Sequence, residues 1–385
     1  MNEPAHKKPG LLRKLSYILL LVLGLLFVTE SILSIVYFQK YGGSPLAVIA
    51  LFKRFQFSNH QKEVSNDQYK NQQLARPGSS AAVNQQIADE TQQANGFVYE
   101  PWILYKSVPF NGTYIHTDGL IRKTVPDVIS GDSSQPITIY FFGGSTTFGF
   151  HVADDETIPS QFVQLLQQKT KKAVRVVNYG IPTYYSYHEL MLFTQLLYQN
   201  HQPQIAIFTD GLNDFIGVQS TLHKKSFLDY RAAQSFSMDI RRGNPTFEDS
   251  LEYVFQLPAG ASVTQLSDSL FGNYTSTVSS IEKTAGAFHV KPFFFIQPVP
   301  FYKYPNQAKD PVCSKKEFPQ YQSIYPRLEQ WVTGSNNKFF LGNMLEHETG
   351  IPFIDGFHYA PLMNKKLAAE MVRVLLPVIE STTSH

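Results

Sequence analysis

The sequence predicts a three-layer α/β/α fold with a mostly parallel, five-stranded sheet. Short apolar runs typical of buried strands alternate with segments in which apolar residues recur at helical spacing. Strands separated by helices form parallel sheets that are covered on both faces. Small or polar residues follow four of the apolar runs. Because ligands bind beyond the carboxyl ends of such strands, the same pattern indicates where a site would lie.

The predicted elements alternate along residues 97–385. The five strand runs lie at residues 137–142, 174–179, 204–209, 292–297 and 352–354. Amphipathic helices are predicted over 156–170, over 186–199 and around 367–375. Residues from about 215 to 290 interrupt the alternation as an insertion, with one helical pattern near 263–287.

The N-terminus carries one long apolar stretch, residues 15–38. About 20 apolar residues span a bilayer as a helix, so we expect one transmembrane helix there. Four cations precede the stretch, and basic residues tend to remain in the cytoplasm. Residues 1–14 are therefore expected inside the cytoplasmic membrane and the rest outside, in the periplasm if the source is Gram-negative. A cleaved signal peptide is the alternative, but no small-residue cleavage pattern is visible.

Composition limits the remaining possibilities. Residues 39–96 are expected to form a juxtamembrane segment and a polar linker, since the second part has few large apolar side chains to offset its ordering entropy. The net charge is +2 without a basic stripe, so nucleic acid is not an expected partner. The single cysteine, Cys313, excludes a disulfide within the chain and makes a thiolate metal site unexpected.

Residues suited to acyl transfer follow the predicted strands. Ser145, in a glycine-rich turn after the first strand, is the candidate nucleophile, and His358 is the candidate base that accepts its proton. Asp355 would orient the imidazole and stabilise its charged form. The candidate donors to an oxyanion are the backbone N–H groups of Ser145 and Gly180 and the side-chain amide of Asn213.

These blocks resemble, in order and type, the SGNH (GDSL-like) hydrolase superfamily. The match covers residues 97–385, and residues 114–122 resemble a stretch that precedes the serine in membrane-anchored members. The resemblance implies a flavodoxin-like SGNH hydrolase fold, ester hydrolysis or acyl transfer by Ser145, His358 and Asp355, and no cofactor or metal. One departure is Gly144, where the common G-D-S pattern has Asp; it bears on the substrate rather than on the nucleophile.

We therefore expect a membrane-anchored, extracytoplasmic serine esterase of carboxylesterase or O-acetylesterase type, which hydrolyses or transfers an acyl ester. The predicted location favours an O-acylated glycan, of the cell envelope or secreted, as substrate. Aromatic residues between 301 and 331 could stack on sugar rings, although such residues more often pack a loop onto its domain. The alternative function is a noncatalytic glycan-binding component of a polysaccharide assembly or export machine that uses the same cleft.

Several assignments keep an alternative reading. Gly180 could be only a turn glycine, and Asn213 could cap the segment that follows it. His188 lies close to the Gly180 loop and could line the site. His151 is expected to be solvated or structural, and Asp210 to be structural.

Overall fold

The computed structural model describes residues 11–41, 72, 74–76, 78–132, 135–216, 262–313 and 318–383. Two units are separated, residues 1–63 and 64–385. In the first unit, residues Leu11–Tyr41 form a helix, in which the large apolar side chains from Tyr17 to Ile32 are exposed. Among the described residues, no helix combines the length and apolarity that a membrane crossing requires. Most of the predicted cytoplasmic N-terminus, the start of the juxtamembrane segment and the centre of the insertion lie outside the described residues.

The elements are numbered in chain order. The strands are β1 (Phe97–Glu100), β2 (Leu104–Ser107), β3 (Phe110–Asn111), β4 (His116–Thr117), β5 (Val128–Ile129), β6 (Ile137–Gly143), β7 (Val174–Gly180), β8 (Ile205–Asp210), β9 (Lys291–Ile296) and β10 (Lys338–Phe340). The helices are α1 (Leu11–Tyr41), α2 (Ala81–Ala94), α3 (Ser145–Phe148), α4 (Ile158–Gln167), α5 (Ser186–Tyr198), α6 (Asn213–Ile216), α7 (Val263–Ala287), α8 (Pro319–Val332) and α9 (Pro361–Ser381).

A six-stranded sheet forms the centre of the second unit, in the order β10-β9-β8-β6-β7-β5. Five of these strands are parallel, and the short β5 pairs antiparallel with β7 at one edge. The predicted mostly parallel α/β fold is confirmed, with six strands in place of five. From β6 the chain moves outward to β7, and it then returns to β8 on the other side of β6. In open α/β sheets ligands bind at such a reversal, which here lies at the carboxyl ends of β6 and β8.

Helices cover both faces of the sheet, as the apolar strand runs predict. Successive side chains of a strand point to opposite faces, so Phe141 and Phe142 enter different cores. Phe141 packs with Phe162 of α4 and with residues of α9, whereas Phe142 packs with Phe193 of α5 and with residues of α7 and α8. The sheet is therefore buried on both sides, and its carboxyl edge is left to carry polar loops.

The fifth parallel strand differs from the prediction. It is β10, which pairs with β9, whereas residues 352–354 form no strand. They are buried, as strand residues are, but the chain reverses directly after them. The N–H of Ile354 donates to the carbonyl of His358 (2.8 Å), which closes a tight loop. That loop presents Asp355 and His358 at the carboxyl edge of the sheet.

The described part of residues 72–96 is folded, although we predicted a polar linker. Ile87 and Ala88 of α2 are fully buried. Glu90 accepts hydrogen bonds from the N–H groups of three successive residues, 113–115 (2.8, 2.8 and 3.0 Å). A carboxylate that satisfies three backbone donors can anchor a helix with few large apolar side chains. The folded unit therefore begins upstream of residue 97.

A fragment of residues 97–385 is expected to have a lower unfolding midpoint than a fragment of residues 64–385, because it lacks α2. Within the longer fragment, Glu90→Ala should lower the free energy of unfolding by about 2 to 3 kcal/mol, since three N–H groups lose a charged acceptor. Circular dichroism during heating and urea titration measures both effects. Glu90→Gln, which keeps one acceptor oxygen, is the matched control. Equal midpoints for the two fragments would show that α2 does not stabilise the unit.

Candidate active site

Ser145 lies at the carboxyl end of β6, which is flanked by β7 and β8 in the sheet. The chain turns at Gly144, and Ser145 is the first residue of α3. Its side chain is buried, with 4% of its surface exposed. The first N–H groups of a helix have no acceptor within the helix, so the N–H of Ser145 is available to a bound group. This is the turn after the first predicted strand, where the sequence analysis expected Ser145 to lie.

His358 and Asp355 meet Ser145 from the tight loop before α9. The Nε2 atom of His358 lies 2.7 Å from Oγ of Ser145, which is 213 positions away in the chain. Its Nδ1 atom lies 2.6 Å from Oδ2 of Asp355. A continuous hydrogen-bonded chain of hydroxyl, imidazole and carboxylate results. The structure thus brings together the three side chains that we predicted to be catalytic.

The Asp355 carboxyl is held in its charged form. Its Oδ1 atom accepts hydrogen bonds from the N–H groups of Phe357 (3.0 Å) and His358 (2.7 Å). Burial raises its pKa, but attraction to His358 and hydrogen bonds from His151 and His358 outweigh burial and hold the pKa well below its usual value. A carboxylate that stays charged can stabilise the imidazolium that forms when His358 accepts a proton.

His151 is a site residue that the sequence analysis missed. Its Nε2 atom lies 3.0 Å from Oδ2 of Asp355, and its side chain is buried rather than solvated. Burial lowers its pKa, so the ring is neutral near pH 7 even though Asp355 acts in the opposite direction. A single histidine in a loop carries no pattern that would have indicated this contact.

His151, Asp355 and His358 also offer three ligand atoms within 4.8 Å of one another, which prompts the question of a metal. Ligands bound to a tetrahedral zinc ion at about 2.0 to 2.2 Å lie at least ~3.3 Å apart. The 2.6 Å between Nδ1 of His358 and Oδ2 of Asp355 is shorter than that and matches a charge-assisted hydrogen bond. Hydrogen bonding therefore explains the cluster better than metal binding does.

Asn213 reaches the serine turn from the end of β8. Its Nδ2 atom donates to the carbonyl of Tyr184 (2.6 Å), and an amide nitrogen has a second N–H for another acceptor. A Cβ atom at Gly144 would lie 2.4 Å from that Nδ2 and 2.9 Å from the Tyr184 carbonyl oxygen. Gly144 thus makes room for the Asn213 amide beside Ser145.

Gly180 is placed differently from its predicted role. Its N–H donates to Oδ1 of Asn178 (2.9 Å), so this donor is already paired. A Cβ atom at Gly180 would lie 2.3 Å from the backbone nitrogen of Phe148. Gly180 therefore allows the end of β7 to approach α3 closely, and we do not include its N–H among the oxyanion donors.

Arg122 braces the loop that follows α3, and it ends the segment 114–122 singled out from the sequence. Its guanidinium is fully buried, pairs with Asp154, and donates to the carbonyls of Phe148 (3.3 Å) and Val152 (3.0 Å). Burial lowers its pKa to about 10, although Asp154 opposes the shift. The loop that carries His151 is thereby fixed at both ends.

Three buried acids, Glu189, Asp210 and Asp214, lie behind the site. Asp214 accepts hydrogen bonds from the N–H (3.1 Å) and hydroxyl (2.5 Å) of Ser186 and so joins α5 to the loop after β8. Among the described residues, both oxygens of Glu189 and Oδ1 of Asp210 have no hydrogen-bond donor. Burial, followed by repulsion from Asp210 and Asp214, raises the pKa of Glu189 well above its usual value. We expect Glu189 to be protonated near pH 7.

The other candidate residues pack the core. Trp331, in the region considered for sugar stacking, is partly buried against the core. The other aromatic side chains considered there are buried in the second unit: Phe301, Tyr302, Tyr304, Tyr321 and Tyr325. His188 lies between tyrosine rings, including that of Tyr184 at 4.9 Å, and burial lowers its pKa to about 4. These residues support the fold and offer no exposed stacking platform.

No protein-family model matches the chain, and no curated protein matches it. Solved structures of similar fold include a protein of Desulfitobacterium hafniense described as a G-D-S-L family lipolytic protein (12% identity, 62% of this chain and 99% of that chain covered, TM-score 0.38). TesA is another (15% identity, 63% of this chain and 99% of that chain covered, TM-score 0.38). A third is a carbohydrate acetylesterase family member from Sinorhizobium meliloti (14% identity, 63% of this chain and 97% of that chain covered, TM-score 0.37).

The stability of the Glu189→Gln variant, relative to that of the wild type, is expected to increase as the pH rises. A group whose pKa is raised on folding binds more protons in the folded state, so its stabilising contribution is lost as the pH rises toward the folded pKa. Each unit of pKa shift corresponds to about 1.4 kcal/mol, and glutamine keeps an N–H donor without titrating. Urea unfolding between about pH 5 and about pH 9 measures the difference. Parallel stability curves for variant and wild type would contradict a protonated Glu189.

Proposed function

We propose that this chain is a serine ester hydrolase of the SGNH type, with Ser145 as nucleophile. One observation carries the proposal: the Ser145 hydroxyl, the His358 imidazole and the Asp355 carboxylate form one hydrogen-bonded chain, with steps of 2.7 and 2.6 Å. A serine, a base within hydrogen-bond reach and a third group that orients the base are the arrangement that activates a hydroxyl for attack on a carbonyl.

The reaction follows from this geometry. His358 accepts the hydroxyl proton at Nε2 as Oγ of Ser145 bonds to the acyl carbon, and Asp355 stabilises the imidazolium. The tetrahedral intermediate collapses when His358 returns that proton to the leaving oxygen, which releases the alcohol and leaves an acyl-serine. Water, deprotonated by His358, then attacks the acyl-serine, and the carboxylic acid leaves as Ser145 regains its proton. These steps need no metal or organic cofactor.

The negative oxygen of the intermediate would be held by two donors. One is the N–H of Ser145 at the start of α3, and the other is the second N–H of the Asn213 amide beside Gly144. Both groups are fixed before substrate binds, because the backbone of α3 and the Asn213–Tyr184 hydrogen bond hold them. Donors that need no rearrangement are the effective ones in stabilising a developing charge.

For the alcohol part of the substrate we propose an O-acylated glycan outside the cytoplasmic membrane. This part rests on the predicted anchor at residues 15–38, which remains a prediction from the sequence. Transfer of the acyl group to a sugar hydroxyl instead of water uses the same acyl-enzyme. A noncatalytic glycan-binding role is the competing proposal, and it gives no reason for Asp355 and His358 to be aligned on Ser145.

Ser145→Ala and His358→Ala are expected to abolish turnover of p-nitrophenyl acetate, and Ser145→Ala also to abolish labelling by a fluorophosphonate. His347→Ala, which changes an exposed histidine, is the matched control and should retain the wild-type rate. Unfolding midpoints check that each variant is folded. Wild-type rates in both variants would refute the assigned roles, and no labelling of the folded wild-type protein would favour the glycan-binding alternative.

Asn213→Ala is expected to lower kcat by about 100-fold to 1,000-fold, the usual effect of removing one oxyanion donor, with a smaller change in KM. Asn213→Asp, of the same size but with an acceptor in place of the donor, should be at least as impaired. Steady-state kinetics on p-nitrophenyl acetate measures both variants. An Asn213→Asp variant with the wild-type kcat would exclude the amide from the oxyanion hole.

A further inference from the structure

We infer that His151 is a positioning residue: it donates a hydrogen bond from Nε2 to Oδ2 of Asp355 and so fixes the carboxylate that orients His358. This inference rests on the proposed hydrolase function and deepens it. His151 does not contact Ser145 in the hydrogen-bonded chain described above, so it would act only through Asp355. It adds a fourth side chain to the hydrogen-bonded group formed by Ser145, His358 and Asp355.

The Asp355 carboxylate accepts two donors at each oxygen. Oδ1 takes the two backbone N–H groups of its own loop, and Oδ2 takes Nδ1 of His358 (2.6 Å) and Nε2 of His151 (3.0 Å). The donor from His151 is the one that comes from outside the loop of residues 355–358. It therefore ties this loop to the loop after α3, which follows the nucleophile.

The His151 ring is enclosed, with 4% of the side-chain surface exposed. The rings of Phe150 and His358 pack against it at centroid distances of 4.5 and 5.5 Å. The charged or titratable groups that face it are Asp355, His358 and Arg76. Because burial keeps the ring neutral and its Nε2 faces a carboxylate, the N–H must lie on Nε2 and point at Asp355.

The backbone of His151 is held by residues upstream of α2. Its φ of 69° lies in the left-handed region, which a histidine adopts only when neighbouring groups enforce it. Gln72 Nε2 (2.7 Å) and Arg76 Nη2 (3.4 Å) both donate to its carbonyl oxygen. Ala75 packs against Ile354, directly before Asp355. One short segment thus supports both loops that meet at the carboxylate.

A second donor also sets how strongly Asp355 acts on His358. A carboxylate oxygen shared between two N–H groups places less of its negative charge on either one. Without His151, Asp355 would stabilise the protonated imidazole of His358 more strongly and would be oriented less firmly. Loss of the donor should therefore move the acid limb of the pH–rate profile to higher pH and lower kcat.

The test compares His151→Phe with His151→Gln in the full chain. Phenylalanine keeps a ring against Phe150 but has no donor, whereas glutamine lacks the ring but can place its Nε2 amide near Asp355. We expect His151→Phe to lose about tenfold to a hundredfold in kcat on p-nitrophenyl acetate, as for a lost hydrogen bond to a charged group, with little change in KM. Its acid limb should move to higher pH, and His151→Gln should lie closer to wild type in both respects.

A proton NMR signal gives a readout that does not depend on turnover. The Nδ1 proton of His358, shared with Asp355, is expected far downfield in wild type and in His151→Gln, and shifted or broadened in His151→Phe. An unchanged signal and an unchanged pH profile in a folded His151→Phe variant would overturn the inference. So would a greater loss in His151→Gln than in His151→Phe, since that would assign His151 to ring packing. If the wild type has no hydrolase activity, the proposed function fails, and the NMR comparison alone decides the role of His151.

Discussion

The carboxylate of Asp355 accepts four hydrogen bonds, and the candidate site is arranged around it. Burial acts to raise its pKa, and the donors that face it outweigh burial and keep it charged. The hydrogen bond from His151 brings the loop before α9 against the loop after α3. Once the two loops meet, Nε2 of His358 lies at the Ser145 hydroxyl. The nucleophile is therefore aligned by contacts made several ångströms away from it.

Four of the parallel strands and the placement of Ser145 and Asn213 after two of them could be predicted because they depend on local patterns. Strands buried on both faces are continuous apolar runs, which the sequence displays directly. In a parallel sheet their carboxyl ends share one edge, so the residue that follows each run is a candidate for the site. Even the missing side chain at Gly144 was visible in the sequence, although the reason for it, the nearby Asn213 amide, was not.

Other features depend on contacts between distant residues, and periodicity does not report them. The apolar run at 352–354 was as strand-like as β10, but its hydrogen bonds close a loop instead of joining a neighbour. Residues of α2 have too few large apolar side chains to predict a folded helix. Glu90 stabilises it through three backbone donors that lie more than 20 positions away, and no local pattern reveals such contacts. The sequence is compatible with an oxyanion role for Gly180, but its N–H already donates to the side chain of Asn178.

The close approach of Asn213 to Gly144 has an evolutionary consequence. A Cβ atom at position 144 would lie 2.4 Å from the amide nitrogen of residue 213, so a side chain at 144 requires that amide to take another position. A homologue with Asp at position 144 and Asn at position 213 would therefore differ from this chain in the path of the loop after β8. The backbone position of that loop, rather than the residue type at 213, would trace the spatial constraint through the lineage.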